Sequence, residues 1–216
     1  MTDQFLQQQI IDELDFDPQV NPAHIGVIVD DGVVTLAGHV TDYAEKLAAE
    51  AAVRRVKGVR AVADELQVRV PNHKRTADDE IATRVADMFE WDSRIPKDDI
   101  RVTVQNGWVY LDGEVAWNFQ RTEAQAQVAK LTGVVGLVNN ITVRSRPPLG
   151  EIREHIQDAF QRSAAIDAEA IAISVENGGK VRLEGTIHSW PERAAAENAV
   201  WSVPGVTRVE SNLRIS

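Results

Sequence analysis

The chain has 216 residues, 44% of them hydrophobic, with no cysteine and a formal net charge of −10. This is globular composition without disulfides, thiolate catalysis or cysteine-based zinc, and so acidic a chain is not expected to bind nucleic acid or to be drawn generally to an anionic membrane. No stretch approaches the roughly 18 apolar residues of a membrane span, so the chain reads as not transmembrane.

The opening "MTDQFLQQQIIDEL" has neither the basic nor the apolar region of a secretory signal. The expectation from this is a cytoplasmic protein, or a periplasmic one if an export signal has been removed. Leu6, Ile10 and Leu14 recur every fourth residue and predict a helix with one apolar stripe. Ile25, Val27 and Val29 alternate as a half-buried strand does. Asp31-Gly32 then tolerates the positive φ angles of a tight hairpin, so the next strand, "GVVTLAGHV" (32–40), should return antiparallel and bury Val34 and Leu36. An Ala-rich helix follows, "AEKLAAEAAVRRV", opened by the capping box Asp42-x-x-Glu45 and closed by Gly58 as a left-handed C-cap. A third strand, "ELQVRV", ends the unit.

The same order is then written twice more. Ile81, Val85 and Phe89 make the stripe, Ile100, Val102 and Val104 the strand, Asn106-Gly107 the turn. "GWVYLDGEV" (107–115), "QRTEAQAQVAKL", Gly133 and "NITVRS" complete the second copy. The third has Ile152, Ile156 and Phe160, then Ile171, Ile173 and Val175, the dipeptide Asn177-Gly178, "GKVRLEGTI" (179–187) and "ERAAAENAVWSV". Ser189-x-x-Glu192 caps its second helix, Pro204-Gly205 stops it, and "NLRIS" follows. Gly32, Gly38 and Gly58 are six and twenty residues apart; Gly107, Gly113 and Gly133 repeat both intervals, and Gly179, Gly185 and Gly205 repeat them again. Internal triplication explains that spacing. Gly38, Gly113 and Gly185 close a strand, where glycine marks a bulge or a close backbone approach, here by the helix crossing over it.

The fold class is therefore α+β: three tandem αββαβ units, each a three-stranded mixed sheet with two helices on one face. The units span 1–70, 78–145 and 151–216, joined by linkers 71–77 ("PNHKRTA") and 146–150.

The segments "GHVTDYAEKLAAEAAVRRVKGVRAVADELQV", "GEVAWNFQRTEAQAQVAKLTGVVGLVNNITV" and "GTIHSWPERAAAENAVWSVPGVTRVESNLRI" resemble the BON (bacterial OsmY and nodulation) domain. With the preceding helix and hairpin the resemblance covers nearly the whole chain. It implies a non-enzymatic protein of osmotic or envelope stress that contacts phospholipid surfaces or partner proteins. One cytosolic type in the family, coupled to a LysM module, binds potassium, so a cytosolic sensor of monovalent cations is an alternative. A multivalent scaffold is another.

Motifs for chemistry are missing. G-x-G-x-x-G, the Walker phosphate loop, H-E-x-x-H and G-x-S-x-G do not occur, and neither a catalytic residue, a cofactor nor a metal site is expected. Asp12, Asp15 and Asp17 in "DELDFDP" depart from a calcium loop at Val20 and Gly26. His24, His39, His73, His155 and His188 do not recur at equivalent positions. More informative is the sheet face turned away from the helices. It should carry Val33 and Thr35 in the first copy, Trp108 and Tyr110 in the second, and Lys180 and Arg182 in the third. The second copy adds Trp117 and Phe119 where the others begin a capped helix. These four aromatics are the candidate lipid or partner contacts. Burial against a neighbouring copy and an RNA-stacking platform are the competing readings.

Overall fold

The computed structural model describes residues 2–72, 76–144, 152–163 and 166–215. The first repeat runs α1 (Asp3–Phe16), β1 (Ile25–Asp30), β2 (Val33–Val40), α2 (Tyr43–Arg55) and β3 (Ala61–Val68). The second runs α3 (Asp78–Trp91), β4 (Ile100–Gln105), β5 (Trp108–Val115), α4 (Asn118–Val128) and β6 (Gly136–Val143). The third runs α5 (Ile152–Arg162), β7 (Ile171–Glu176), β8 (Lys180–Ile187), α6 (Trp190–Trp201) and β9 (Arg208–Ile215). His73 and the linker 146–150 lie outside the described residues, as do residues 73–75 of the linker 71–77.

Each repeat builds its own three-stranded sheet with its second strand in the centre. β1 pairs antiparallel with β2, and β2 parallel with β3; β7, β8 and β9 repeat that arrangement. A parallel neighbour needs a crossover, which the Ala-rich helix supplies. The third strands start earlier than their apolar residues suggest. β3 begins at Ala61 and pairs with β2 over all eight residues, from Val33↔Ala61 to Val40↔Val68.

The helical stripes are buried in all three repeats: Leu6, Ile10 and Leu14; Ile81, Val85 and Phe89; Ile152, Ile156 and Phe160. So are the central-strand pairs Val34 and Leu36, Val109 and Leu111, and Val181 and Leu183. Removing each such side chain from water stabilises the fold by roughly 1.5–3 kcal/mol. Ala49, Ala52, Ala124 and Ala196 are fully buried, and their size lets the second helix lie close on its sheet. Ile28 and Val33 alternate to the opposite face and stay exposed. That face carries no helix.

The recurring glycines record backbone contacts rather than a crossing helix. At Gly38, Gly113 and Gly185 a Cβ would fall 2.1 Å from the carbonyl oxygen of His24, Asp99 and Ala170, the residue just before the first strand of the same repeat. The helix that follows is not what approaches. Gly58, Gly133 and Gly205 are not helix C-caps either. α2 ends at Arg55 with Val56 extended as its C-cap, and Gly58 lies beyond. Val59 N–H donates to the Val56 carbonyl, Val134 to Leu131 and Val206 to Val203, so each glycine is the third residue of a four-residue turn. With positive φ there and proline before it in Val203-Pro204-Gly205-Val206, the turn is of type II. The hairpin glycine and the turn glycine of a repeat face each other. A Cβ on Gly32 would lie 3.0 Å from the Gly58 carbonyl oxygen, and one on Gly179 would lie 1.8 Å from that of Gly205.

Two further details differ from the sequence reading. The third hairpin is one residue longer: Glu176 pairs with Lys180, and its positive-φ pair is Gly178-Gly179 rather than Asn177-Gly178. The first two hairpin turns are also held from the start of the first helix. Asp3 Oδ2 accepts from Asp31 N–H at 3.1 Å, while Asp78 accepts from Asn106 N–H at 2.7 Å and Gly107 N–H at 2.9 Å.

Candidate docking surface

The three helix-free sheet faces hold different chemistry at the same positions. In the first repeat Val33 and Thr35 stand beside Ala61 and Ala63, with Ile28 across from Thr35. Ile28 is 61% exposed, so this face is small and aliphatic. In the third repeat Lys180 and Arg182 are not free cations. Lys180 Nζ lies 2.9 Å from Glu210 and 3.3 Å from Glu176; Arg182 lies 3.1 Å from Glu176 and 3.3 Å from Glu210. Arg208 closes on Glu210 at 3.5 Å. Hydrogen bonding to Glu210 raises the Lys180 pKa and the same contact lowers that of Glu210. The sequence reading noted the cations and missed their partners on the flanking strands.

The second repeat presents the rings. Trp108 opens β5 at 44% exposure and Tyr110 is half-buried two residues on. The Trp108 indole lies on Gly136 of β6, whose added Cβ would sit 2.6–2.7 Å from three ring carbons. Gly136 takes the place held by Ala61 and Arg208 in the other repeats. Trp117 and Phe119 belong to the opposite end of β5, at the start of α4, where Trp117 is half-buried and Phe119 is 53% exposed. An eight-residue strand is about 25 Å long, so Trp108 and Trp117 do not form one patch.

The helix start itself is rewired around one position. In the first repeat Asp42 accepts from Glu45 N–H at 2.9 Å, but the Glu45 carboxylate does not return to Asp42 as a capping box does. It is buried and accepts from Asn21 N–H at 2.9 Å, Thr41 N–H at 2.8 Å and Thr41 Oγ1–H at 2.9 Å. Glu192 does the same in the third repeat, accepting from His188 N–H at 2.7 Å and Asp167 N–H at 3.3 Å. The second repeat has Gln120 there, whose Oε1 accepts from Ala116 and Trp117 N–H, each at 3.0 Å. The amide thus holds the backbone of Trp117, a tie the sequence reading did not find.

Elsewhere, His24 and His39 stack with ring centroids 4.5 Å apart and planes 13° from parallel. The Ile25↔Gly38 pairing places them side by side, and that register was the signal available in the sequence. Asp17 of the "DELDFDP" stretch is buried and bonded to Arg55 at 2.9 Å. Among the described residues no helix is long and apolar enough to cross a membrane.

A family model for the BON domain matches residues 2–70, 77–145 and 149–216, one match to each repeat. The chain belongs to the BON domain family. Each BON unit is one αββαβ repeat, and the unlike faces are the faces of three BON sheets. No curated protein matches the chain. Two solved structures align along it: CdsD, a structural protein of the type III secretion system of Chlamydia trachomatis, and the C-terminal domain of CdsD. The first is 14% identical with a TM-score of 0.28, covering 98% of this chain and 92% of that one. The second is 12% identical with a TM-score of 0.27, covering 100% of both.

Proposed function

We propose that the chain is a non-enzymatic, stress-associated docking protein whose middle BON unit touches a phospholipid surface. BON domains are associated with stress- and envelope-related proteins, and phospholipid contact is proposed for members of the family. The observation that carries the reading is the exposed Trp108 ring, with the half-buried Tyr110 two residues on, on the one unit whose bare face is aromatic. Indole and phenol rings settle where water meets hydrocarbon. With a net charge of −10, the surface engaged is zwitterionic rather than anionic.

The test is co-sedimentation of the full chain with zwitterionic phospholipid vesicles. Wild type pellets with the vesicles and W108A stays in solution; equal sedimentation of the two removes the proposal. A partner protein is the second reading. It is favoured by Trp108 being pinned on Gly136, because a ring already fixed loses little freedom on docking. On that reading W108A removes a co-purifying protein and leaves vesicle binding absent throughout.

A further inference from the structure

Each sheet ends on its third strand, which pairs on one side only, and these edges are not closed alike. In the first repeat Leu66 turns its backbone away from β2, as alternate residues of an edge strand do. Its N–H donates to the Asp64 carboxylate at 3.0 Å, and its carbonyl accepts from Lys46 Nζ at 2.7 Å. Lys46 and Asp64 are themselves 3.1 Å apart. The two side chains occupy the groups through which another strand would bind. The second repeat keeps a polar acceptor at that place, Asn139, whose amide donates to Gln125 at 3.1 Å.

The third repeat has Ser211 there, opposite Leu183 as Asp64 is opposite Leu36. Ser211 Oγ is buried without a hydrogen-bond partner among the described residues, so it does not cap Leu213, the counterpart of Leu66. Arg193 replaces Lys46 and lies on the Ser211 carbonyl instead, at 3.1 Å. Neither bond that closes Leu66 is made at Leu213.

What this open edge presents is complementary to itself. On the bare face β9 alternates Glu210, Asn212 and Arg214, an acid, a neutral residue and a base. Arg214 is exposed and makes no ion pair among the described residues. Laid antiparallel on a second β9 with Leu213 opposite Ser211, the outward N–H and C=O groups of the two meet. Asn212 then falls opposite its own copy, and Glu210 opposite Arg214 on both sides of the dyad. The Ser211 carbonyl has a second lone pair for the incoming Leu213 N–H beside Arg193.

We propose that β9 is a self-pairing edge, through which two copies of the chain join their third BON sheets antiparallel into one continuous sheet. The charge order selects a second copy over a foreign strand, because it is answered by its own reverse. This inference is independent of lipid contact by the middle unit, which uses other residues.

The full chain is followed by sedimentation velocity over a concentration series reaching about 0.2 mM, where a dimer is expected to grow in. Ser211→Asp restores the acceptor of the first repeat and should leave the chain monomeric, with a thermal melt showing that it folds. Arg214→Glu sets carboxylates opposite each other and should raise the dimer dissociation constant by roughly tenfold or more. The chain has no cysteine, so Asn212→Cys reports the register. Across the dyad the two Cα atoms would lie about 4.5–5.5 Å apart, within disulfide reach, and oxidation should link the copies. Glu65→Cys, at the same place on the closed first edge, should stay unlinked. A monomer at every concentration overturns the proposal. So does a dimer that both Ser211→Asp and Arg214→Glu leave intact, or an Asn212→Cys chain that does not cross-link.

Discussion

Trp108 and Gly136 fit as ring and platform: a Cβ on Gly136 would lie 2.6 Å from the nearest indole carbon. Contacts below 3 Å force one partner to move, and the ring is the freer of the two. Gly136→Ala therefore lifts Trp108 off the sheet. In a chain whose other tryptophans are phenylalanine, quenching by acrylamide should rise in G136A, with stability changed by less than about 1 kcal/mol. Unchanged quenching would show that the ring rests elsewhere.

Gly113→Ala should be far more costly. Its Cβ would meet the Asp99 carbonyl oxygen at 2.1 Å, and its φ of +153° is unfavourable for alanine. A loss of more than about 2 kcal/mol in urea unfolding is expected. Gly178→Ala supplies the control, because nothing lies within 4 Å of its Cβ position and only the φ penalty applies. Equal losses at the two sites would contradict the close-approach explanation.

Glu45 accepts three hydrogen bonds with two carboxylate oxygens. In Glu45→Gln one oxygen becomes an NH₂ facing donors, and the unmade bonds should cost about 2 kcal/mol. Gln120 meets both of its donors with a single oxygen, so Gln120→Glu should be nearly neutral at pH 7. Thermal melts of the two variants read the asymmetry directly.

Acid should separate two groups. The Arg55 hydrogen bond, and then the Gln19 N–H, hold the Asp17 carboxyl below its usual range. Its folded-state pKa is depressed, so its contribution is complete above the unfolded value of about 3.9. It is lost as the pH falls through the folded value. Asp17→Asn should be less stable than wild type at pH 7 by about 1 kcal/mol, since Arg55 is half exposed, and the gap should close in acid. His39 is lowered by desolvation first, then by Arg69 and His24, against the opposing charge of Glu45. The unfolded chain takes up that proton first, so stability should decline as the pH falls below about 6.5. His39→Gln should flatten that slope.

The repeat, its helical stripes and its central strands were legible because periodicity reports burial directly, as Ile10, Val85 and Phe160 show. The glycine intervals were legible as a pattern, but their cause was not. Gly179 faces Gly205, and Gly185 faces Ala170, through backbone carbonyls that leave no side-chain signature. On the sheet faces the sequence showed which residues point outward but not what lies across from them. Glu210 quenches the charge of Lys180 from a strand 30 residues away, and parallel register decides that pairing. The separation of Trp108 from Trp117 came from the length of β5.

The most direct test of docking by the middle unit is lipid-borne quenching of one ring. A chain keeping Trp108, with Trp91, Trp117, Trp190 and Trp201 replaced by phenylalanine, would be mixed with zwitterionic vesicles brominated along the acyl chains. Trp108 fluorescence should fall on mixing and fall further with bromines placed nearer the headgroup. Fluorescence unaffected by any bromine position, in protein that still pellets with the vesicles, would place the contact somewhere else.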